Sequence, residues 1–420
     1  MSAQAIDQLF VSSTALRSVN FFNGRLLTGD DLSREQRTQE ARLERLGRLV
    51  GPGIASGLEV VETLGTSTKA RPVVTISKGV ALAESGAAVE LTNDIDISLY
   101  RADPGSAAES GALFGDCQPF APGTYTAGAG VYVLTIAATE RGEGRAEVNG
   151  LGNAGAPCNV ALEAEAVKFR LIRLALTPEE LDDKPHLRNH VAYACFGTSD
   201  LGGELADVFG PPVTKHGLVD TLRAQLMGQS EVPLATIGWS IDDGIQFIDM
   251  WSVRRRVTRP SGTSVFPDFV DDRSRAEGEA RFLQFQAQIL ELRDGGGPES
   301  IHATAVFDRL PAAGLLPIEA LVDGFDAPTF FSGLTTRGPF IVEGARTEPL
   351  LRAALGFQPI DLSSGELIWL YEVRENRDPA LAGAGFARPY VLFTNGFVPY
   401  AANAQFDLAH WDFANYALPV

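Results

Sequence analysis

The sequence is poor in the residues that build metal sites and disulfide frameworks. Among its 420 residues are only three cysteines and five histidines. Cys117, Cys158 and Cys195 are widely spaced, which is typical neither of a disulfide framework nor of a CxxC zinc site. The odd number favours a reducing compartment, where we expect cysteine to be a small buried apolar residue. The pattern leaves open a bridge between Cys117 and Cys158.

The chain also lacks a positive charge excess and a long apolar run. Its formal net charge is −18 at pH 7. Such a field repels phosphate backbones, so we expect no nucleic-acid binding. The longest apolar runs, such as residues 131–138, fall well short of the about 20 residues that cross a bilayer. The N-terminus shows no signal peptide. We therefore expect a cytoplasmic protein with no direct membrane insertion. If it acts at the cell envelope or outside the cell, we expect a route other than general secretion.

Catalytic motifs are missing as well. The sequence has no GxSxG elbow, no Walker loop, no HExxH and no GxGxxG that follows a strand. His186 and His190 lie four residues apart on a predicted helix, but no Cys or acid stands at a supporting spacing, so we interpret them as structural or exposed. We predict no catalytic residue, no cofactor and no metal, and hence no enzyme. A hydrolase with dispersed acidic residues is an alternative.

Apolar residues, by contrast, are plentiful: they make up 45% of the chain, which is enough for a large core. Period-two runs predict an α+β fold that is mainly β, with two β-rich domains. We place a docking segment and helix at 1–53, a β-rich domain at 54–176, a mixed helical and hairpin region at 177–300, and a C-terminal β-rich domain at 301–420. A long helix is predicted near residues 274–293, and its two apolar rows indicate that more than one of its sides is covered.

The N-terminal segment has the features of a docking element. Thr28 and Asp31 predict a helix start, and Gly51-Pro52-Gly53 predicts its end. One helix with one apolar stripe cannot fold alone, so we expect it to dock on a partner. A basic run within an acidic chain is a second candidate contact, although it could instead be a solvated strand edge. The predicted docking residues are Phe21, Phe22, Leu26, Leu27, Leu43, Leu46, Arg254, Arg255 and Arg256.

The N-terminal block also resembles a known bacterial family. The matching pieces are Asn23-Gly24, Leu26 to Thr28, Asp31-Leu32, Glu35-Gln36, Gly51 to Ile54 and Ser56 to Val60, with Ile54 where the family usually has Val. Shorter phrases at 74–91, 232–239, 310–318 and 369–376 are similar too. The family is poorly characterised and is encoded with phage-tail-like contractile injection systems.

The resemblance implies a non-catalytic structural component of such a particle and no reaction. The component could belong to the baseplate, a fibre or its adaptor, a cap, or an anchoring accessory. Its partners would be the other particle subunits, in a homo- or hetero-oligomer. The alternative to a structural subunit is a fibre-like or carbohydrate-binding recognition module, which the aromatic residues of the C-terminal half suggest.

Overall fold

The computed structural model of the chain describes residues 16–69, 72–99, 130–145, 160–197, 217–259, 272–318, 324–374 and 390–398. Within these ranges the fold is α+β, as predicted, and the strands form five sheets. The helices are α1 (Gly29–Val50), α2 (Pro178–Asp182), α3 (Lys184–Phe196), α4 (Leu218–Gln225), α5 (Asp272–Asp294), α6 (Ala327–Phe330) and α7 (Thr347–Ala354). The strands of the first half are β1 (Gly53–Gly57), β2 (Val60–Glu62), β3 (Val73–Ile76), β4 (Gly79–Leu82), β5 (Ala88–Leu91), β6 (Ile95–Ser98), β7 (Gly130–Arg145) and β8 (Val160–Arg173). Those of the second half are β9 (Glu231–Ser240), β10 (Gly244–Asp249), β11 (Arg309–Leu310), β12 (Ala313–Pro317), β13 (Thr336–Glu343), β14 (Ile360–Asp361), β15 (Ile368–Arg374) and β16 (Tyr390–Asn395).

Two small antiparallel sheets follow α1. One has the strand order β1-β4-β5 and the other β2-β3-β6. Residues 83–87 join β4 and β5 in a hairpin, in which the strands pair from Leu82 with Ala88 to Gly79 with Leu91. The run from residue 72 to 82 is not one strand, because β3 and β4 belong to different sheets. Its break lies at Ser77 and Lys78, where the Lys78 N–H donates to the Asp94 carboxylate.

The central sheet has the order β10-β9-β7-β8 and is antiparallel throughout. Strands β9 and β10 form a hairpin across Asp242-Asp243-Gly244, which agrees with the hairpin expected in the region 177–300. Because β9 pairs with β7, the boundary predicted after residue 176 falls within one sheet. Alternation along β7 turns Leu134 and Ile136 to the core shared with the two small sheets, while Val131 and Val133 pack with α3 and α4.

The stretch from 178 to 196 begins with a capping box, in which the Thr177 hydroxyl accepts from the Glu180 N–H. It then breaks into α2 and α3 at Asp183. Cys195 lies on α3 and is a buried free thiol, as expected. Cys117 and Cys158 lie outside the described residues, as does the apolar tail at 404–420.

The long helix α5 connects the central sheet to the C-terminal half. Most of its two apolar rows is covered by its own fold: Ala280 packs with Tyr193 and Phe196, while Phe285 and Ile289 enter the C-terminal core. Leu290, at the end of one row, is exposed. That core contains a chain of edge-to-face aromatic pairs, among them Phe285 with Phe393 at 5.2 Å between centroids. The C-terminal sheet has the order β12-β16-β15-β13, with β13 parallel to β15.

A buried carboxylate joins these parts. Asp249, at the end of β10, is 1% exposed. It accepts hydrogen bonds from Arg188 Nε of α3, from Gln284 Nε2 of α5 and from the Ser252 N–H, each at 3.0 Å. Burial of a charge is favourable only when its partners are complete, so this carboxylate sets the positions of three elements.

Candidate docking surface

Residues 16–50 form what we call the N-terminal arm: an extended segment folded back along α1. The predicted helix start is confirmed, since the Thr28 hydroxyl accepts from the Asp31 N–H and the Asp31 carboxylate accepts from the Thr28 N–H. Arg25 adds an ion pair to Asp31 at 2.7 Å. The hydrogen bonds of the cap lower the pKa of Asp31, and the bond from the backbone N–H of Thr28 has the largest effect.

Further along the helix, the same segment is held by side-chain hydrogen bonds. The Val19 N–H donates to Glu35 Oε2 at 3.0 Å, and the Thr38 hydroxyl donates to the Arg17 carbonyl at 2.9 Å. The bond from Val19 is the main cause of the lowered pKa of Glu35. The segment therefore runs antiparallel to α1 and covers the side that carries Thr38.

Glycines attach the arm to the rest of the chain, which we call the body. A Cβ on Gly47 would lie 2.0 Å from the Gly86 carbonyl oxygen in the β4–β5 hairpin. A Cβ on Gly51 would lie 1.6 Å from the Thr258 carbonyl oxygen. Because both contacts are between backbones, no larger residue fits without moving the arm. Strand β1 then enters the body, where the Ile54 N–H donates to the Arg255 carbonyl at 2.9 Å.

The arm presents its apolar residues to solvent. Within the described residues, nine of the seventeen exposed large apolar side chains lie between residues 21 and 50. We call these nine the docking surface: Phe21, Phe22, Leu26, Leu27, Leu32, Leu43, Leu46, Leu49 and Val50. The other eight are scattered between Val61 and Phe357. Exposed apolar residues are ordinary when single, but this many within one segment of the chain indicate an interaction site.

On α1 these residues follow a regular spacing. Leu32, Gln36, Gln39, Leu43, Leu46 and Val50 succeed one another in steps of four and three. This is the spacing of one seam of a coiled coil. We call this row of six residues the stripe. Six of the nine members of the docking surface were predicted from the sequence as docking residues. The four-three spacing back from Leu43 is the signal that identifies Leu32.

The arginine run lies against its own chain. Arg254 donates to the carbonyls of Leu58 at 2.9 Å and Gly57 at 2.6 Å. Arg255 donates to the Trp251 carbonyl, and its guanidinium lies 5.0 Å from the Phe196 ring centroid. Burial lowers the pKa of Arg255 to about 10. Arg256 is half exposed and pairs with Glu279 at 2.7 Å. Because these guanidinium groups already hold the body together, we leave them out of the docking surface.

The two histidines of α3 have acidic partners that spacing alone did not reveal. His186 Nδ1 lies 2.9 Å from the Asp183 carboxylate. His190 lies 3.2 Å from Glu180 and 3.5 Å from Asp308. The interaction with Asp308 is the largest cause of the raised pKa of His190. Among the described residues, no group of three or more His, Cys, Asp or Glu side chains is arranged to hold a metal ion.

A cavity of about 360 Å³ lies where α1, β4, α4 and α5 meet. Its walls carry both signs of charge, including Arg48, Glu231 and Glu277. Cys195 also lines it, and desolvation raises the pKa of that thiol to about 12, so the thiolate nucleophile is not formed at neutral pH. We assign the cavity no ligand.

Comparisons with known proteins add little. No protein-family model matches the chain. No curated protein matches it either. Among solved structures, it is similar to a crystal structure of TssK, with 9% sequence identity and a TM-score of 0.25 over 67% of this chain and 52% of that one. The chain thus corresponds to about half the length of that structure, and a likeness this weak carries no argument.

None of the helices in the described ranges combines the length and apolar character needed to span a bilayer.

Proposed function

We propose that the chain is a non-catalytic structural subunit that joins a larger protein assembly by burying its docking surface against an apolar surface of another subunit. The observation that carries the proposal is the concentration of exposed large apolar side chains on the arm. The body, by contrast, keeps its apolar residues in continuous cores.

The energetics favour a covered state for the arm. Leu43 and Leu46 are 66% and 60% exposed. Full burial of a leucine side chain is worth about 1.5–3 kcal/mol, so covering the exposed part of each yields roughly 1–2 kcal/mol. On the same basis, covering all nine residues of the docking surface yields roughly 8–17 kcal/mol. This is comparable with the loss of freedom on association, which costs about 4–15 kcal/mol.

The assembly that we propose is a phage-tail-like contractile injection particle, in its baseplate, a fibre or adaptor, a cap or an anchoring accessory. Support comes from where the family-like block lies in the fold. Its Asp31 caps α1, its Glu35 holds the extended segment, and its Gly51 and Gly53 pass between backbone groups of the body. The residues of the resemblance therefore build the arm and its attachment, which is the part of the chain that we propose to dock.

The experiment compares particle association of the natural chain and of the variant Leu43→Asp/Leu46→Asp. Particles are sedimented from the organism that encodes the chain, and the chain is detected beside sheath and tube proteins. We expect the natural chain to sediment with them and the variant to stay in the supernatant with an unchanged melting temperature. Leu64→Asp is the matched control, because Leu64 is 93% exposed and lies outside the arm. Sedimentation of the double variant at the natural level would refute the proposal.

Among the described residues, no observation favours the alternative of a carbohydrate-binding recognition module. The aromatic residues that suggested it are largely core residues: Phe307, Phe325, Phe330 and Phe393 are at most 1% exposed. Trp369 packs against Phe397 at 4.7 Å between centroids.

A further inference from the structure

Building on the proposed function, we infer that the partner of the docking surface is a second copy of this chain, with the two α1 helices antiparallel. Helix α1 is neutral overall, with five acidic residues and five arginines. It therefore does not select a strongly charged partner. Selection must come from where individual charges lie beside the stripe.

Three charged residues flank the stripe. In the heptad that places Gln36 and Leu43 at position a and Leu32 and Leu46 at position d, Glu35 and Arg42 occupy g, and Glu40 occupies e. Arg42 and Glu40 are exposed, and Glu35 is half-buried. Charges at e and g decide the partner and the orientation of paired helices.

A parallel pair is disfavoured by these charges. In a parallel coiled coil a g residue faces the e residue five positions later on the other helix. Glu35 would then face Glu40 of the second copy, twice by symmetry, and Arg42 would face a glycine, Gly47. The parallel arrangement thus has two repulsive contacts and no attractive one.

One antiparallel register reverses that balance. When Leu32 packs opposite Leu43 of the second copy, Gln36 lies opposite Gln39, and Glu35 faces Arg42 of the second copy. By two-fold symmetry each contact forms twice. Glu35 retains capacity for this contact, because a carboxylate has about four acceptor positions and its bonds from Val19 and Gln39 use two. Sliding the pair by one heptad toward the C-terminus would bring Arg42 against Arg42 and Glu40 against Glu40.

The same register also sets the distance between the two bodies. At about 1.5 Å per residue, the two-fold axis lies between residues 37 and 38 of the two helices. Gly51, where each body begins, lies about 20 Å from the axis. The two bodies are then attached about 40 Å apart. Thus the charges at e and g and the pairing of Leu32 with Leu43 favour one arrangement.

The test measures the mass of the full chain by sedimentation equilibrium across micromolar concentrations. We expect a dimer whose dissociation constant rises about 10- to 30-fold in Arg42→Glu, because two attractive contacts become repulsive. Arg37→Glu is the matched control, since Arg37 is an exposed arginine of α1 on the side away from the stripe, and it should leave the constant unchanged. The inference is overturned if the natural chain is still monomeric at a concentration on the order of 100 micromolar, because its dissociation constant would then be too high for the dimer that we infer.

Cysteine pairing tests the orientation. A mixture of Leu32→Cys and Leu43→Cys chains under mild oxidation should give a link between residues 32 and 43, identified by peptide mass. Leu43→Cys alone should not link to itself, because the two copies of residue 43 lie about 16 Å apart along the axis. A link between two copies of residue 43 overturns the antiparallel arrangement. If the chain is monomeric and Leu43→Asp/Leu46→Asp still fails to join particles, the self-pairing is wrong while the proposed function stands.

Discussion

Replacing Asp249 with alanine should cost more stability than any surface change in the protein, because three separate elements converge on its carboxylate. The variant removes the acceptor of Arg188, Gln284 and the Ser252 N–H at once. Arg188 is itself 7% exposed, so its guanidinium cannot turn to water. It keeps one partner, Glu291.

The expected loss in the free energy of unfolding depends on that remaining partner. Breaking a buried ion pair by removing one member costs about 3–5 kcal/mol. The contact with Glu291 places Asp249→Ala at the lower end, at about 3 kcal/mol. With an unfolding entropy of about 2.1 cal/mol/K per residue, a cooperative chain of 420 residues would lose about 3–4 °C in melting temperature.

Urea unfolding followed by circular dichroism measures this loss directly. Asp294→Ala is the control, because Asp294 is an exposed residue at the end of α5 whose partner is its neighbour Arg293. We expect the control to change the free energy of unfolding by less than about 0.5 kcal/mol. A loss of less than about 1 kcal/mol in Asp249→Ala would refute the idea that this carboxylate joins the elements.

Three further predictions concern the arm, the C-terminal core and pH. Gly47→Ala should destabilise the arm although alanine favours helix by about 1 kcal/mol, since its Cβ meets a backbone oxygen at 2.0 Å; faster hydrogen exchange in α1 checks this, and unchanged exchange contradicts it. Phe285→Ala, at a site with no exposure, should cost about 3–5 kcal/mol in urea unfolding, and a cost below about 1 kcal/mol would show a core able to collapse. His190 has a raised pKa and Asp308 a lowered one, chiefly through their mutual hydrogen bond. Their contribution to stability is therefore fully present above about pH 4 and below about pH 6.5, the unperturbed values. It is lost as the pH rises through the raised pKa of His190 or falls through the lowered pKa of Asp308. The urea midpoint of the natural chain should fall more between pH 6 and pH 8 than that of His190→Gln, and equal falls would contradict the assignment.

Local signals made much of the fold predictable. The capping boxes at Thr28 and Thr177 each need only four consecutive residues, and the hairpin at 231–249 needs only alternation and a turn. The two apolar rows of α5 were visible because helical spacing shows every covered side, whatever covers it. The elements that cover those sides could not be predicted, since Ala280 packs with residues of α3 that lie far away in the sequence.

The parts of the structure that could not be predicted depend on contacts between residues far apart in the sequence. The run Arg254 to Arg256 reads as a basic surface strip, but Phe196 lies beneath Arg255 across 59 positions of sequence. Asp308 reaches His190 across 118 positions. No spacing rule connects such pairs. The arm was predictable for the opposite reason, since its apolar residues, its turn and its helix start all lie within 35 consecutive residues.

The close backbone contacts of Gly47 and Gly51 with the body have a consequence for engineering. Main-chain atoms fix where the arm leaves the body, so the outward residues of α1 do not take part in that attachment. The helix is thus a natural graft point, at which a different outward sequence could redirect the subunit to a new neighbour while the body keeps its fold.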